Sequence, residues 1–129
     1  MPTTLRNVAA SVRSAEIEAL FRPLPLIVGH ASELPPGHVL AHDDYGLPLL
    51  LSRDADGRFR AFFNVCRHRG MRLVEAGDAA EARAAIVCPY HGWTYRLAGE
   101  LRHRLHRRRL VHRAHHLRRV DVRRQVSVR

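Results

Sequence analysis

Two short motifs constrain this chain more than anything else in it: Cys66-Arg67-His68 and Cys88-Pro89-Tyr90-His91, separated by 19 residues. Each offers one soft thiolate and one imidazole, and together they use both cysteines of the chain. A fold that employs the four side chains jointly must bring two loops face to face, which calls for strands that double back on one another. Other uses remain open. Cysteine is commonly a small buried hydrophobe and histidine a satisfied surface residue. In a small secreted domain the default for two thiols is a disulfide. The histidine close behind each cysteine favours metal.

A set of two sulfur and two nitrogen donors suits two kinds of centre. One is structural zinc, for which tetrahedral Cys2His2 is an ordinary ligand set. Zinc modules usually have tighter spacing within each pair and little other core, whereas this chain has apolar segments enough for a core of its own. The other is a [2Fe-2S] cluster in which two thiolates hold one iron and two imidazoles the other. The neighbours favour the cluster. Gly70 and Gly92 follow the histidines where a loop must fold back and let backbone N-H groups approach sulfur. Pro89 stiffens the second loop beside its cysteine.

The rest of the chain reads as β structure. Ser14 through Phe21 forms a short helix, with Ser14 as its N-cap, Glu16 and Glu18 in the first turn, and Pro23 as its stop. Beyond it LPLIVGH, GHVLAH and LPLLLSR are short apolar runs separated by Pro, Gly and Asp clusters, as strands are. The DADG of residues 54–57 joins LPLLLSR to RFRAFFNV, and Asp-Gly between such runs is a hairpin signal. In the second arm Phe59, Ala61, Phe63 and Val65 make an apolar face; Arg58, Arg60 and Asn64 lie on the other, with Phe62 the exception. AAIVC and TYRL supply two further strands, and the polar, alanine-rich EAGDAAEARAA between the two motifs reads as an exposed excursion or a single helical turn. The expected fold class is mainly β: a small antiparallel sandwich or barrel with a short N-terminal helix and an irregular C-terminal tail.

NVCRHRGMRL followed by CPYHGWTYRLAGEL resembles the N-terminal Rieske domain of the Rieske non-haem iron oxygenases, the large α subunits of aromatic-ring-hydroxylating dioxygenases and related monooxygenases. VGHASELPPGHV and LLLSRDADGRFRAFFNVC resemble that family's lead-in strands, so the likeness covers about residues 14–101. It implies that Cys66, His68, Cys88 and His91 are the ligands of a Rieske-type [2Fe-2S] cluster, with Tyr90 and Trp93 packed beside it. Arg67 and Arg69 then either meet a partner or remain solvated. The resemblance also implies an electron donor, a ferredoxin or an NAD(P)H-dependent flavin reductase or both. It further implies a homo-oligomer, often a trimeric α or mixed α/β assembly. Two departures stand out. The 19-residue spacer is slightly longer than the family leads one to expect. In the family a catalytic domain with a mononuclear Fe(II), held by two His and one carboxylate, follows the Rieske domain; this sequence has 29 residues after position 100.

Those residues carry the whole charge imbalance. The formal net charge is +10 and the pI about 11.4, yet residues 1–100 hold 11 Arg and 11 Asp or Glu, while residues 101–129 hold 11 Arg and the single acid Asp121. A basic arm for nucleic acid is one reading of such a block, but its Leu and Val positions follow neither a helical nor a strand period. A second metal site among His103, His106, His112, His115, His116 and Asp121 is not expected, because the segment is short and its arginines repel a cation. The preferred reading is the product of a frameshift or other truncation, with the family-like text ending near Leu101. The expected organisation is therefore a lead over 1–13, the Rieske domain over 14–101, and an Arg/His-rich tail over 102–129, non-native or disordered, whose loss of true sequence leaves sheet edges uncovered.

The functional expectation is an electron-transfer module of an oxygenase, an oxidoreductase by resemblance that lacks its own site of oxygen chemistry and has no catalytic residue. A stand-alone Rieske ferredoxin and a zinc module with a basic nucleic-acid-binding arm are the alternatives. No segment approaches the roughly 18 apolar residues of a membrane span. The N-terminal stretch faintly resembles a transit peptide but has no secretory apolar core, so neither membrane nor nucleic acid is expected and the placement is cytoplasmic.

Overall fold

The computed structural model describes residues 11–21, 24, 26–43, 46–76, 79–82, 85–103, 115–120 and 126–128. Helix occupies residues 11–16 and continues as a π-turn over Ile17–Phe21. Ser14 therefore lies inside the helix rather than capping it, and the expected stop, Pro23, lies outside the described residues.

The central layer is a four-stranded antiparallel sheet. It comprises β2 (His38–His42), β3 (Leu49–Arg53), β4 (Phe59–Phe63) and β5 (Ala79–Glu81), in the order β4-β3-β2-β5. A second, three-stranded antiparallel sheet holds β6 (Ile86–Val87), β7 (Thr94–Tyr95) and β8 (Leu101–His103). The remaining pair, β1 (Leu26–Gly29) with β9 (Val126–Val128), is parallel. The strands read from the apolar runs thus form, and the β3–β4 hairpin closes at DADG: Gly57 has φ 81° and donates to the Asp54 carbonyl at 3.0 Å. The Asp54 carboxylate also accepts from the Arg58 N-H at 2.8 Å, a local bond that favours turn over strand.

EAGDAAEARAA is neither a plain excursion nor a helical turn where it is described. Its Ala79–Glu81 is β5, paired with β2 through Val39 and Ala80. The free edge of β2 presents unpaired N-H and C=O groups, and an extended chain lying along it satisfies them whatever its side chains are.

Both faces of the central sheet are covered, which explains the unbroken apolar run of β3. On one face Val39, Ala41, Leu50 and Phe62 pack with Ile86, Tyr95 and Leu101 of the small sheet and with Cys66, Leu73, Cys88, Trp93 and Leu97 of the loops. On the other, Leu40, Leu49, Leu51 and Ala61 pack with Val28 and Leu34. Phe62, the apparent exception in the β4 alternation, is fully buried and belongs to the face toward the two motifs. Burying such a ring contributes roughly 3 kcal/mol. Ser52 on that face donates to the Leu97 carbonyl at 2.8 Å, tying the two sheets together.

Residues 115–120 fall within the stretch expected to be a tail. They carry Leu117 into the first of these clusters and Val120 into the second. The Phe63 N-H donates to the Arg118 carbonyl and the Val120 N-H to the Ala61 carbonyl, each at 2.9 Å, so the segment pairs along the outer edge of β4. The edge feared open is covered over this length. His106, His112 and Asp121 lie outside the described residues, as do residues 1–10 of the lead. No helix among the described residues is long and apolar enough to cross a membrane.

Candidate metal centre

The two motifs occupy loops of matching construction. In the first, the Cys66 N-H donates to the Met71 carbonyl at 2.7 Å and the Gly70 N-H returns to the Cys66 carbonyl at 3.0 Å. In the second, the Cys88 N-H donates to the Trp93 carbonyl at 2.8 Å and the Gly92 N-H to the Cys88 carbonyl at 3.0 Å. Each glycine thus sits four residues after its cysteine, with φ of 74° at Gly70 and 64° at Gly92, where a side chain would strain the backbone. Sequence reading predicts the fold-back; the repeated hydrogen-bond frame is what it produces.

The loops bring the two thiols together and the two imidazoles together. Cys66 and Cys88 are buried and unbridged. His68 and His91 stand with ring centroids 4.9 Å apart on the outer side, His68 exposed and His91 half-buried. Among the described residues no three His, Cys, Asp or Glu side chains form one convergent group. The candidate donors stand as a pair of thiols and a pair of imidazoles, a set that would suit a cluster with two sulfur and two nitrogen ligands. His91 Nδ1 is buried and has no hydrogen-bond partner among the described residues, a cost that coordination to iron would remove.

Charge states fit the same use. Burial pushes the Cys66 thiol up, as does the neighbouring Cys88, against the pull of the Tyr95 hydroxyl and the backbone N-H of His68, both of which hydrogen-bond its sulfur. A metal ion must therefore displace that proton. Desolvation, then the positive charge of His91 and Arg69, holds His68 below the ordinary imidazole value, favouring the neutral form that ligates metal.

Trp93 lies flat on His68, with centroids 4.6 Å apart and planes 11° apart, and Tyr90 leans on His91 at 3.8 Å. Both stand beside the donors as the resemblance implies, Trp93 buried and Tyr90 half exposed. Arg67 and Arg69 have exposed side chains. Two contributors escape sequence reading. Tyr95, fully buried, places its hydroxyl 3.2 Å from Cys66 Sγ while accepting from the Arg67 N-H at 3.1 Å. Burial and the Cys66 contact keep this phenol protonated well above its ordinary range. Asn64, assigned to the polar face of β4, is buried and clamps the far end of the first loop. Its Oδ1 accepts from the Leu73 and Val74 N-H groups at 3.1 and 3.2 Å, and its Nδ2 donates to the Val74 carbonyl at 2.7 Å. The available signal was a polar residue next to Cys66 in an otherwise apolar strand end.

The model of the Rieske [2Fe-2S] domain matches residues 25–118. The chain belongs to this family. Over 94 residues it is 37% identical to the carnitine monooxygenase oxygenase subunit of Acinetobacter baumannii, covering 72% of this chain and 25% of that protein. Over 92 residues it is 40% identical to the biphenyl dioxygenase subunit alpha of Metapseudomonas furukawaii, covering 70% of this chain and 20% of that one. Among solved structures, a quaternary ammonium Rieske monooxygenase in complex with an inhibitor superposes with a TM-score of 0.75 at 31% identity, covering 87% of this chain and 32% of that chain. Naphthalene 1,2-dioxygenase with indole bound superposes with a TM-score of 0.72 at 33% identity, covering 85% and 26%. The chain therefore spans a fifth to a quarter of the length of the curated relatives named. The family match runs past Leu101 into the segment that covers the β4 edge.

Proposed function

We propose that this chain is the electron-transfer module of a Rieske-type oxygenase, with Cys66, Cys88, His68 and His91 as its cluster ligands. The observation that carries the reading is the meeting of two matched loops with thiols inward and imidazoles outward. When bound, the cluster supplies a one-electron couple, and its two neutral imidazoles set the potential hundreds of millivolts, as an order of magnitude, above that of plant-type ferredoxins.

The chain's own residues do the rest. Phe62, Ile86, Trp93 and Tyr95 exclude water from the thiol side. The Tyr95 O-H and the backbone N-H of His68 both point at Cys66 sulfur and stabilise negative charge there. His68 and the half-exposed Tyr90 form the outer face, where a protein donor can approach. The donor is a ferredoxin or an NAD(P)H-dependent flavin reductase. The acceptor is a mononuclear iron of the oxygenase, to which the module passes single electrons. A cytoplasmic setting and a homo-oligomeric oxygenase complete the proposal.

Anaerobic purification after reconstitution with iron and sulfide tests it. Two irons and two sulfides per chain with an EPR signal on one-electron reduction are expected, and Cys66→Ser or His91→Ala should abolish that signal. A colourless, EPR-silent protein that takes up zinc instead would overturn the reading.

A further inference from the structure

Three rings stand in series at the centre: His68, Trp93 stacked flat upon it, and His115 edge-on to Trp93 with centroids 5.6 Å apart and planes 80° apart. The first two come from the cluster loops. The third comes from beyond the second sheet, in the stretch that covers the β4 edge. Its attachment is firm. The Leu117 N-H donates to the Gly99 carbonyl at 2.8 Å, the Arg118 carbonyl accepts from Phe63 and the Val120 N-H donates to Ala61. Leu117 and Val120 are buried at 4% and 5% exposure. His115 is thus two residues from an anchored, edge-paired segment. Its buried Nδ1 has no hydrogen-bond partner among the described residues, and the ring edge packs against Trp93.

Trp93 is the element that needs holding. Its carbonyl closes the second loop on Cys88, while its ring covers His68 of the first. The indole is itself buried in the main core cluster, whereas the imidazole it covers is exposed. The edge of His115 stands against the indole in the T-shaped geometry that aromatic pairs prefer. We propose that residues 115–120 are a working part of the metal centre, with His115 as the positioning residue that holds Trp93 against the ligand His68. This rests on the Rieske reading above. It also extends the functional domain at least to Val120, past the boundary expected near Leu101.

The test uses the full 129-residue chain, reconstituted anaerobically, with His115→Leu, which keeps bulk without a ring, and His115→Phe, which keeps the ring edge. H115L should load its cluster but bleach in air about 2- to 10-fold faster, the range expected for loss of one ring-edge contact, and its EPR lines should broaden as His68 loses a fixed plane. H115F should restore both properties. Equality of H115L with the unsubstituted protein, or of H115F with H115L, would overturn the proposal. A second measurement does not require either variant to fold: in the metal-free chain, nuclear Overhauser contacts between the His115 ring and the Trp93 indole are expected, and their absence also overturns it. Failure of the unsubstituted chain to take up iron and sulfide would sink the cluster reading, while the ring contact would still be read separately.

Discussion

Replacing Tyr95 by Phe removes one oxygen atom next to the proposed cluster and little else. The ring is fully buried, so its packing is retained. The hydroxyl lies 3.2 Å from Cys66 Sγ and already accepts from the Arg67 N-H, which leaves its own proton to the sulfur. As a thiolate ligand Cys66 would only accept, and the bond would then run from phenol to sulfur. Such a bond to a charged group is worth about 1.5–3 kcal/mol. The reduced state carries one more negative charge, so it gains more from the bond than the oxidised state does. If a third to a half of the bond is differential, the effect is about 1 kcal/mol. For a one-electron couple, with 59 mV per tenfold change, that is a fall of roughly 40 mV in midpoint potential. A dye-mediated redox titration followed by EPR, with visible circular dichroism to confirm an unchanged cluster fold, measures it. A loaded Y95F cluster whose potential is unchanged or higher would refute the assignment of Tyr95 as donor.

Asn64→Ala should leave the Leu73 and Val74 N-H groups and the Val74 carbonyl without their partner at a buried site, at about 1–3 kcal/mol for each group that water cannot reach. A melting temperature lower by at least about 10 °C is expected, and scanning calorimetry of the metal-free chain would show it. Gly99→Ala combines a φ of 86° with a collision against the Phe62 ring, whereas Gly70→Ala has an unfavourable φ of 74° but open space. Urea titration should rank them, with Gly99→Ala costing about 2–5 kcal/mol and Gly70→Ala about 1–2. The Arg60 guanidinium, 2.6 Å from Asp54, and the Arg58 N-H hold the Asp54 carboxyl below its ordinary 3.8. A depressed carboxylate stabilises the fold above that value and loses the contribution as pH falls below it. Asp54→Asn should therefore melt lower than the parent at pH 6, and the gap should narrow below pH 3.8.

Much of the site was legible because it is local. Each motif folds its own loop, and the spacing of Cys, His and Gly within it is enough to specify the turn and to nominate candidate donors. Strand positions were legible for the same reason, since apolar runs and turn residues act over a few neighbours. The polar spacer was misread because β5 draws its pairing from the edge of β2 and not from its own side chains. Asn64 and Phe62 were hard to place because alternation distinguishes two faces only when one of them is wet, and here both are covered.

The arginine-rich end shows the limit most clearly. Composition assigned it a charge and no period, and by those measures it lies outside the domain. The sequence by itself determined the family and the loop turns that present the candidate ligands, all of which depend on residues close together in the chain. Only the tertiary structure decided that Tyr95 reaches Cys66, that Leu117 and Val120 enter the core, and that His115 meets Trp93. Those contacts join residues whose proximity depends on how two sheets stack and which edge is left to be covered, and no local pattern encodes that.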